Sequence, residues 1–480
     1  MRSWIIVALL AMLLLAGCKA ISTEPSGHDV SGSVELLDSQ RDNAGVIVAL
    51  YNAVELNSKI IEQQAIHSNL GYPIDQQSEF DHRYQLPYMQ TTTSSSGGFK
   101  FEGVSTGNYN LAVLKENYGY KYIIDISVST DREIPCIEML QETVLSGQIL
   151  TDITFSEASC TYIESDTEII TPASVTLSSG AIIRIAPGKM LRFLCPVMFD
   201  TAENSVRITS ADKTFDFSGN LDTIELFSKI SFSTDEISNQ QISNLIISHS
   251  TLGLSVETNT AIAFQYVRGL NSHRGLVIEA GSSTISNCTF TQMANCALDL
   301  YSDFGIHDNI FGSCEQGLFA VELDGTINNN YFFENVFGIR VASPNLNIAH
   351  NEFDDCDLSI SVAASVCTIE YNNISGSDMG IETSSIYGDV CYPTIRFNNF
   401  VANTTHISII GFHDMFTPVI RPHIGVAGDI VCPHNYFDTL SNELSLLDAN
   451  DDDWQESWSE EYYIDITLQN STLVGNAGLE

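Results

Sequence analysis

From residue 285 onward, apolar and polar positions return in a fixed order that is neither the two-residue alternation of a flat sheet nor the 3.6-residue stripe of a helix. Ile285, Ile306, Ile327, Ile348 and Ile369 are spaced 21 apart, and Ile395 follows after 26. Three positions after each stand Cys288, Asn309, Asn330, Asn351, Asn372 and Asn398; five positions after stand Phe290, Phe311, Phe332, Phe353, Ile374 and Phe400. Three registers held through six windings mark a solenoid in which one repeat is one coil. Alternate side chains of a strand face opposite ways, so an apolar pair five residues apart requires a bend between its members. The Asn stands at that bend and is expected to take the left-handed backbone there. Coils about 4.8 Å apart would let equivalent Asn side chains bond up and down as a ladder. Each coil then brings a small residue, as at Gly317, Gly338 and Gly380, and an apolar one, as at Leu318, Ile339, Ile360, Ile381 and Ile407. Short strands joined by bends, with no helical period, predict a β-helix.

These Asn-x-Phe coils resemble the repeats of the pectate-lyase-like superfamily, which implies a right-handed parallel β-helix over roughly residues 140–480. Val175 to Gly180, Ile182, Ile185, Ala186 to Gly188 and Phe193 resemble that family's first coils. Asn435 and Phe437, with Cys432 before them, restore the repeat after an insertion from about Gly411 to Asp429, and residues 438–480 are expected to close the last coil, whose strand edges would otherwise stay unpaired. Resemblance of this kind implies a fold and leaves the activity open.

Ahead of the solenoid the pattern changes to short alternating strands broken by polar turns: Val30 to Leu37, Ala44 to Leu50, Gly98 to Glu102, Tyr109 to Val113 and Tyr122 to Val128. That pattern predicts a small antiparallel sandwich. Ser96 to Leu111, with a Gly turn, Phe99-Lys100-Phe101 and Gly107-Asn108-Tyr109, resembles the carboxypeptidase regulatory-like domain, which implies a non-catalytic interaction or spacer module. The stretch from Ala65 to Gln90 is long and polar, with a turn expected at Gly71-Tyr72-Pro73, and suggests no function by itself. The expected all-β organisation is a signal peptide at 1–17, a lipidated tether at 18–29, the sandwich at 30–130, and the β-helix with its cap at 131–480.

The first residues bear on location. Arg2 precedes an apolar run from Trp4 to Ala16, too short to span a bilayer, where about 20 residues are needed, and readable as a signal peptide. Leu15-Ala16-Gly17-Cys18 resembles the lipobox of bacterial lipoproteins, which implies cleavage before Cys18 and its acylation, and Lys19 in the second mature position implies an outer-membrane destination, on its periplasmic or cell-surface face.

Charge narrows the partners. Twenty Lys and Arg against 60 Asp and Glu give a formal net charge of −40, which repels nucleic acid, anionic lipid and polyuronates and favours neutral or cationic partners, a neutral polysaccharide among them. The chain carries no Asn-Thr-Asp, Gly-His-Gly or Arg-Ile-Lys segment of the polygalacturonase kind, and no Lys after Lys229. Arg396 stands one coil from Glu370 in one register, as a surface ion pair would place it. Eleven Cys in an exported chain suggest disulfides, yet their spacing shows no compact framework and suits buried packing residues equally. Cys314 and Cys356 share a register two coils apart, beyond the reach of a disulfide.

Carboxylates gather on one edge: Glu334 and Asp355 seven after the coil's Ile, Asp357 and Asp378 nine after it, with Asp354 alongside. Stacked like charges repel, and a calcium ion held by Glu334, Asp355, Asp357 and Asp378 would relieve them; a solvated acidic turn is the plainer alternative. Asp448 to Asp453 offers alternating oxygen ligands but lacks the Gly and later Glu of an EF-hand. Tyr371 and Phe397 share a register, and Trp454 and Trp458 lie in the cap, where rings could stack on sugars or simply form ladders. Two readings follow: a membrane-tethered binding or structural protein directed to neutral glycan, with no cofactor besides the calcium considered above; or a carbohydrate-active enzyme, hydrolase or lyase, whose acid and base lie on the Glu334 to Asp378 edge.

Overall fold

The fold is taken from a computed structural model that describes residues 27–37, 42–201, 204–216, 224–237, 240–343, 345–363, 367–384, 393–410, 430–431, 434–438, 446–447, 464–465 and 473–479. Contacts divide the chain into two compact units, one of residues 1–53, 87–115 and 121–138, the other of 54–86, 116–120 and 139–480. The expected first module at 30–130 is therefore interrupted: residues 54–86 leave it and fold with the solenoid. Cys18, the Asp448 to Asp453 run, Trp454 and Trp458 lie outside the described residues.

Among its described residues, the first unit's regular elements are strands. Gly98–Val104 pairs antiparallel with His28–Leu36, which is joined in parallel by Arg132–Glu133. A second sheet orders Met89–Thr92, Ile47–Asn52, Gly107–Lys115 and Gly119–Val128. Their inward positions, among them Val30, Val34, Val48, Leu50, Phe99, Phe101, Leu111 and Val113, are buried. Gly97 shows why its turn needs glycine: φ is +86° and a Cβ would meet the Val34 carbonyl oxygen at 2.1 Å.

The second unit is a stack of parallel coils with three walls, illustrated by one coil. Phe304–His307 forms the first wall, Ile310–Gly312 the second and Gln316–Val321 the third. Each strand pairs in parallel with its counterpart one coil on. The registers predicted from sequence are the observed ones: Ile285 faces Ile306, then Ile327, Ile348, Ile369 and Ile395 along the first wall. All six are fully buried in one continuous core. Phe290, Phe311, Phe332 and Phe353 stack inside the second wall with ring centroids 5.9, 4.8 and 4.9 Å apart.

The Asn ladder exists, with one correction to its geometry. Left-handed backbone falls on the residue before each ladder position, at Asn287, Asp308, Asn329, His350, Tyr371, Phe397 and His434, with φ between 53° and 62°. The Asn itself turns its amide into the bend. Asn330 Nδ2 donates to Asn351 Oδ1 at 3.0 Å, to Ile306 O at 3.0 Å and to Asn328 O at 2.9 Å, while its Oδ1 accepts from Asn309 N at 3.0 Å. The same set repeats at Asn309, Asn351, Asn372 and Asn398. A buried amide is tolerated because every donor and acceptor is met. Cys288 heads this column, and Cys314 and Cys356 stand in a second one; all three are free, buried thiols whose pKa burial pushes up to about 12. They act as small core residues.

Candidate functional site

The second wall carries an outward face that the periodic core does not explain. Outward positions on this wall include Arg207, Thr209, Arg268, Thr289, Ile310, Tyr331, Phe333, Glu352 and Asp354, and the 54–86 segment runs along them, matching their chemistry coil by coil. The helix Ser58–Ile66 begins at Asn57, whose side chain accepts from Ile60 N. Its Ile60, with Leu70 and Ile74, packs on Ile310, Tyr331 and Phe333 in an apolar cluster that Leu56 and Leu479 border. At Gly71, φ is +72° and a Cβ would lie 2.5 Å from Thr289 Oγ1. The backbone there comes close enough for Gly71 N to donate to Asp308 O at 2.7 Å and Tyr72 N to Thr289 Oγ1 at 2.8 Å. The turn expected at Gly71 to Pro73 is thus the point of closest approach.

Beyond the turn the contact becomes ionic. Arg268 Nε and Nη2 hold the Glu79 carboxylate at 2.7 and 2.8 Å, and Nη2 also donates to Thr291 Oγ1 at 2.8 Å. Arg83 Nη2 bonds Asp81 Oδ2 at 2.6 Å and Thr209 Oγ1 at 2.9 Å, while Nη1 donates to Ser210 O and Asp212 O, each at 2.9 Å. Asp81, His82, Arg83 and His249 are all buried. His82 Nε2 donates to Thr214 O at 2.7 Å, and Tyr84 OH hydrogen-bonds His249 Nε2. Burial lowers the pKa of His82 to about 4, against the pull of Asp81, and burial with the Arg83 charge lowers that of His249 to about 3. Burial opposes the charge on Asp81, yet Arg83 outweighs it and holds the carboxyl well below the usual range. Both imidazoles are neutral at pH 7, and the cluster resembles an acid–base constellation in composition. Its partners are wall and segment, so docking explains every member.

At the other end of the segment lies the acidic edge. Glu334 and Asp355 sit at the left-handed corner between second and third walls, with φ of 53° and 62°. Lys59 Nζ stands 2.9 Å from Asp354 Oδ2, 3.1 Å from Glu334 Oε1 and 3.9 Å from Asp355 Oδ2. Burial works against its charge, but hydrogen bonds with Asp354 and Glu334 raise its pKa above the ordinary lysine value. An ammonium therefore relieves the repulsion for which a calcium ion was expected. Asp357 and Asp378 are exposed, and the Lys59 ion pairs do not include them. No group of three or more His, Cys, Asp or Glu among the described residues is arranged to hold a metal.

Glu352 went unnoticed in the sequence. It shares the strand Glu352–Asp354 and its outward face, and burial together with the Asp354 charge raises its pKa. Gly478 lies over it, where a Cβ would be 3.6 Å from Glu352 Oε2. Its signal was available: two carboxylates at i and i+2 follow a coil whose same positions, Tyr331 and Phe333, are aromatic. Tyr371 and Phe397 do stack, 5.0 Å apart, in a file that continues to His350 and His434 at 5.1 Å. Near-parallel rings so spaced cover one another's faces and leave their edges for solvent. Arg396 Nε meets Glu370 Oε2 at 2.8 Å as a half-buried ion pair.

Residues 228–400 match the family described as right handed beta helix region. The solenoid is a right-handed parallel β-helix. No curated protein matches the chain. Among solved structures, a type II Cohesin-X-Dockerin complex from Acetivibrio cellulolyticus is similar at 20% identity over 24% of this chain and 57% of that chain, with a TM-score of 0.15. A likeness so partial carries no argument about fold or function.

Proposed function

We propose that this chain is a non-catalytic binding or structural protein, tethered to the outer membrane through acylated Cys18 and presenting the β-helix to neutral glycan. The first unit, which resembles a carboxypeptidase regulatory-like module at Ser96 to Leu111, serves as its spacer. One observation carries the reading: the carboxylates best placed to act as acid and base are engaged by Lys59. An ammonium that pairs with Glu334 and Asp354 from a helix packed over the wall gives these carboxylates a structural partner. The −40 net charge supports an uncharged ligand over an acidic polymer.

The rival is a glycoside hydrolase or polysaccharide lyase, and Glu352 beside Asp354 is the observation in its favour, since a raised carboxyl next to an ionised one suits acid–base work. Incubation of the protein with neutral polysaccharides and assay of new reducing ends decides between them. No release is expected; release that Glu352→Gln abolishes would establish the enzyme. Palmitate labelling in cells, expected for the parent and lost in Cys18→Ser, tests the tether separately.

A further inference from the structure

The third wall holds a polar group that neither the core nor the docked segment uses. Asp299 projects outward between Val277 on the preceding coil and Phe319 on the next, yet it is only 3% exposed. Its Oδ2 accepts from Arg274 Nη1 at 2.6 Å and from Tyr301 OH at 3.3 Å. Its Oδ1 is buried with no hydrogen-bond partner. One coil on, Gln316 pairs in register with Cys296, and its Oε1 is also buried and unpartnered. Leaving such an oxygen unmet costs about 1–3 kcal/mol, and here two occur on adjacent coils: Gln316 stands three residues before Phe319, the register partner of Asp299, so the two are offset by about 10 Å along the strand and about 4.8 Å between coils, a span for more than one sugar ring.

The chemistry of the missing partner follows from these atoms. Both are acceptors, so the partner must bring O–H or N–H donors. A cation is disfavoured because Arg274 already balances the Asp299 charge. An acid is disfavoured by exposed Glu279, one coil from Tyr301, and by the charge of the whole chain. Tyr301 is 54% exposed and offers a ring that the C–H face of a sugar can cover.

We propose that Arg274, Asp299, Tyr301 and Gln316 form a binding site for a neutral saccharide. Its hydroxyls donate to Asp299 Oδ1 and Gln316 Oε1, Arg274 keeps Asp299 oriented, and the Tyr301 ring packs against a pyranose. Admission requires Tyr301 to swing outward, which its exposure allows. The site rests on the glycan-binding reading and gives it an address.

Isothermal titration of the full mature protein in detergent with cellohexaose, maltohexaose and mannohexaose, and with hexagalacturonate as the acidic arm, tests it. At least one neutral hexasaccharide is expected to bind and hexagalacturonate is not. Tyr301→Ala and Gln316→Leu should each weaken that binding at least about tenfold, with unchanged melting temperatures to show that both variants fold. Neutral binding that survives both substitutions would overturn this site while leaving the glycan-binding reading in place. Failure of every neutral oligosaccharide, or preference for the acidic one, would overturn the ligand class; tethering and absence of catalysis have their own assays.

Discussion

The second and third walls are built from the same repeat, yet their outward faces differ in kind. On the second wall, outward Ile310, Tyr331 and Phe333 are buried beneath the 54–86 segment, Arg268 joins wall to segment through the Glu79 carboxylate, and Arg83 reaches from the segment to the Ser210 carbonyl. On the third, Tyr301 and Val321 are 54% and 41% exposed, and Arg340 is exposed as well. The inward half of each strand obeys the fold, whereas the outward half is free to record what lies against it. A run of outward aromatics in an otherwise polar column therefore marks a covered wall, whereas the buried acceptors of the third wall are what the proposed saccharide would meet.

The contrast should break most sharply at the buried ions. Arg83→Ala leaves Asp81 without its counter-charge and is expected to lower stability by about 3–5 kcal/mol, whereas Arg340→Ala on the third wall should stay within about 0.5 kcal/mol; urea unfolding measures both. Phe333→Ala comes next, with a loss of about 3–5 kcal/mol for a buried ring, against a change of under about 1 kcal/mol for exposed Val321→Ala.

Acid should loosen the second wall through its histidines. The folded pKa values of His82 and His249 lie below the ordinary 6.5, near 4 and 3, so the unfolded chain binds protons first. Their contribution is complete above about pH 6.5 and is lost as pH falls, by about pH 4 for His82 and about pH 3 for His249. Protease cleavage between residues 54 and 86 should accelerate over that window in the parent protein and less in His249→Gln. Equal acceleration would show that the imidazoles do not hold the segment.

The smallest effect belongs to the acidic edge. Lys59 is partly exposed, and its loss in Lys59→Met should cost about 1 kcal/mol or less. It should also uncover the site that calcium was expected to fill: calcium should raise the melting temperature of Lys59→Met and leave the parent unchanged. A calcium shift in the parent would mean that the metal displaces the ammonium.

How much of this was legible in the sequence follows from the same division. The inward registers of Ile, Asn and Phe could be read directly because every coil must fill the same core. The left-handed position was displaced by one residue because Asn was assigned the strained backbone, when its amide is needed inward to satisfy neighbouring coils. The residues that do carry that backbone include His350, Tyr371 and Phe397, whose stacking offsets a conformation that bulky side chains rarely adopt. The acidic edge was found, but Lys59 lies some 270 residues away in the sequence, and nothing local pairs it with Glu334. The 54–86 segment was illegible for that reason: its contacts are single outward residues spread over many coils, each unremarkable alone. Asp299 escaped notice because burial of an outward carboxylate depends on Arg274 from the preceding coil, a contact that sequence order does not show.

The docking of residues 54–86 on the second wall is the claim on which the others depend, and zero-length carbodiimide cross-linking followed by mass spectrometry tests it most directly. Lys59 should be recovered joined to Asp354 or Glu334, each about 3 Å away. Recovery of Lys59 unlinked, or linked to carboxylates scattered over other coils, would contradict the account.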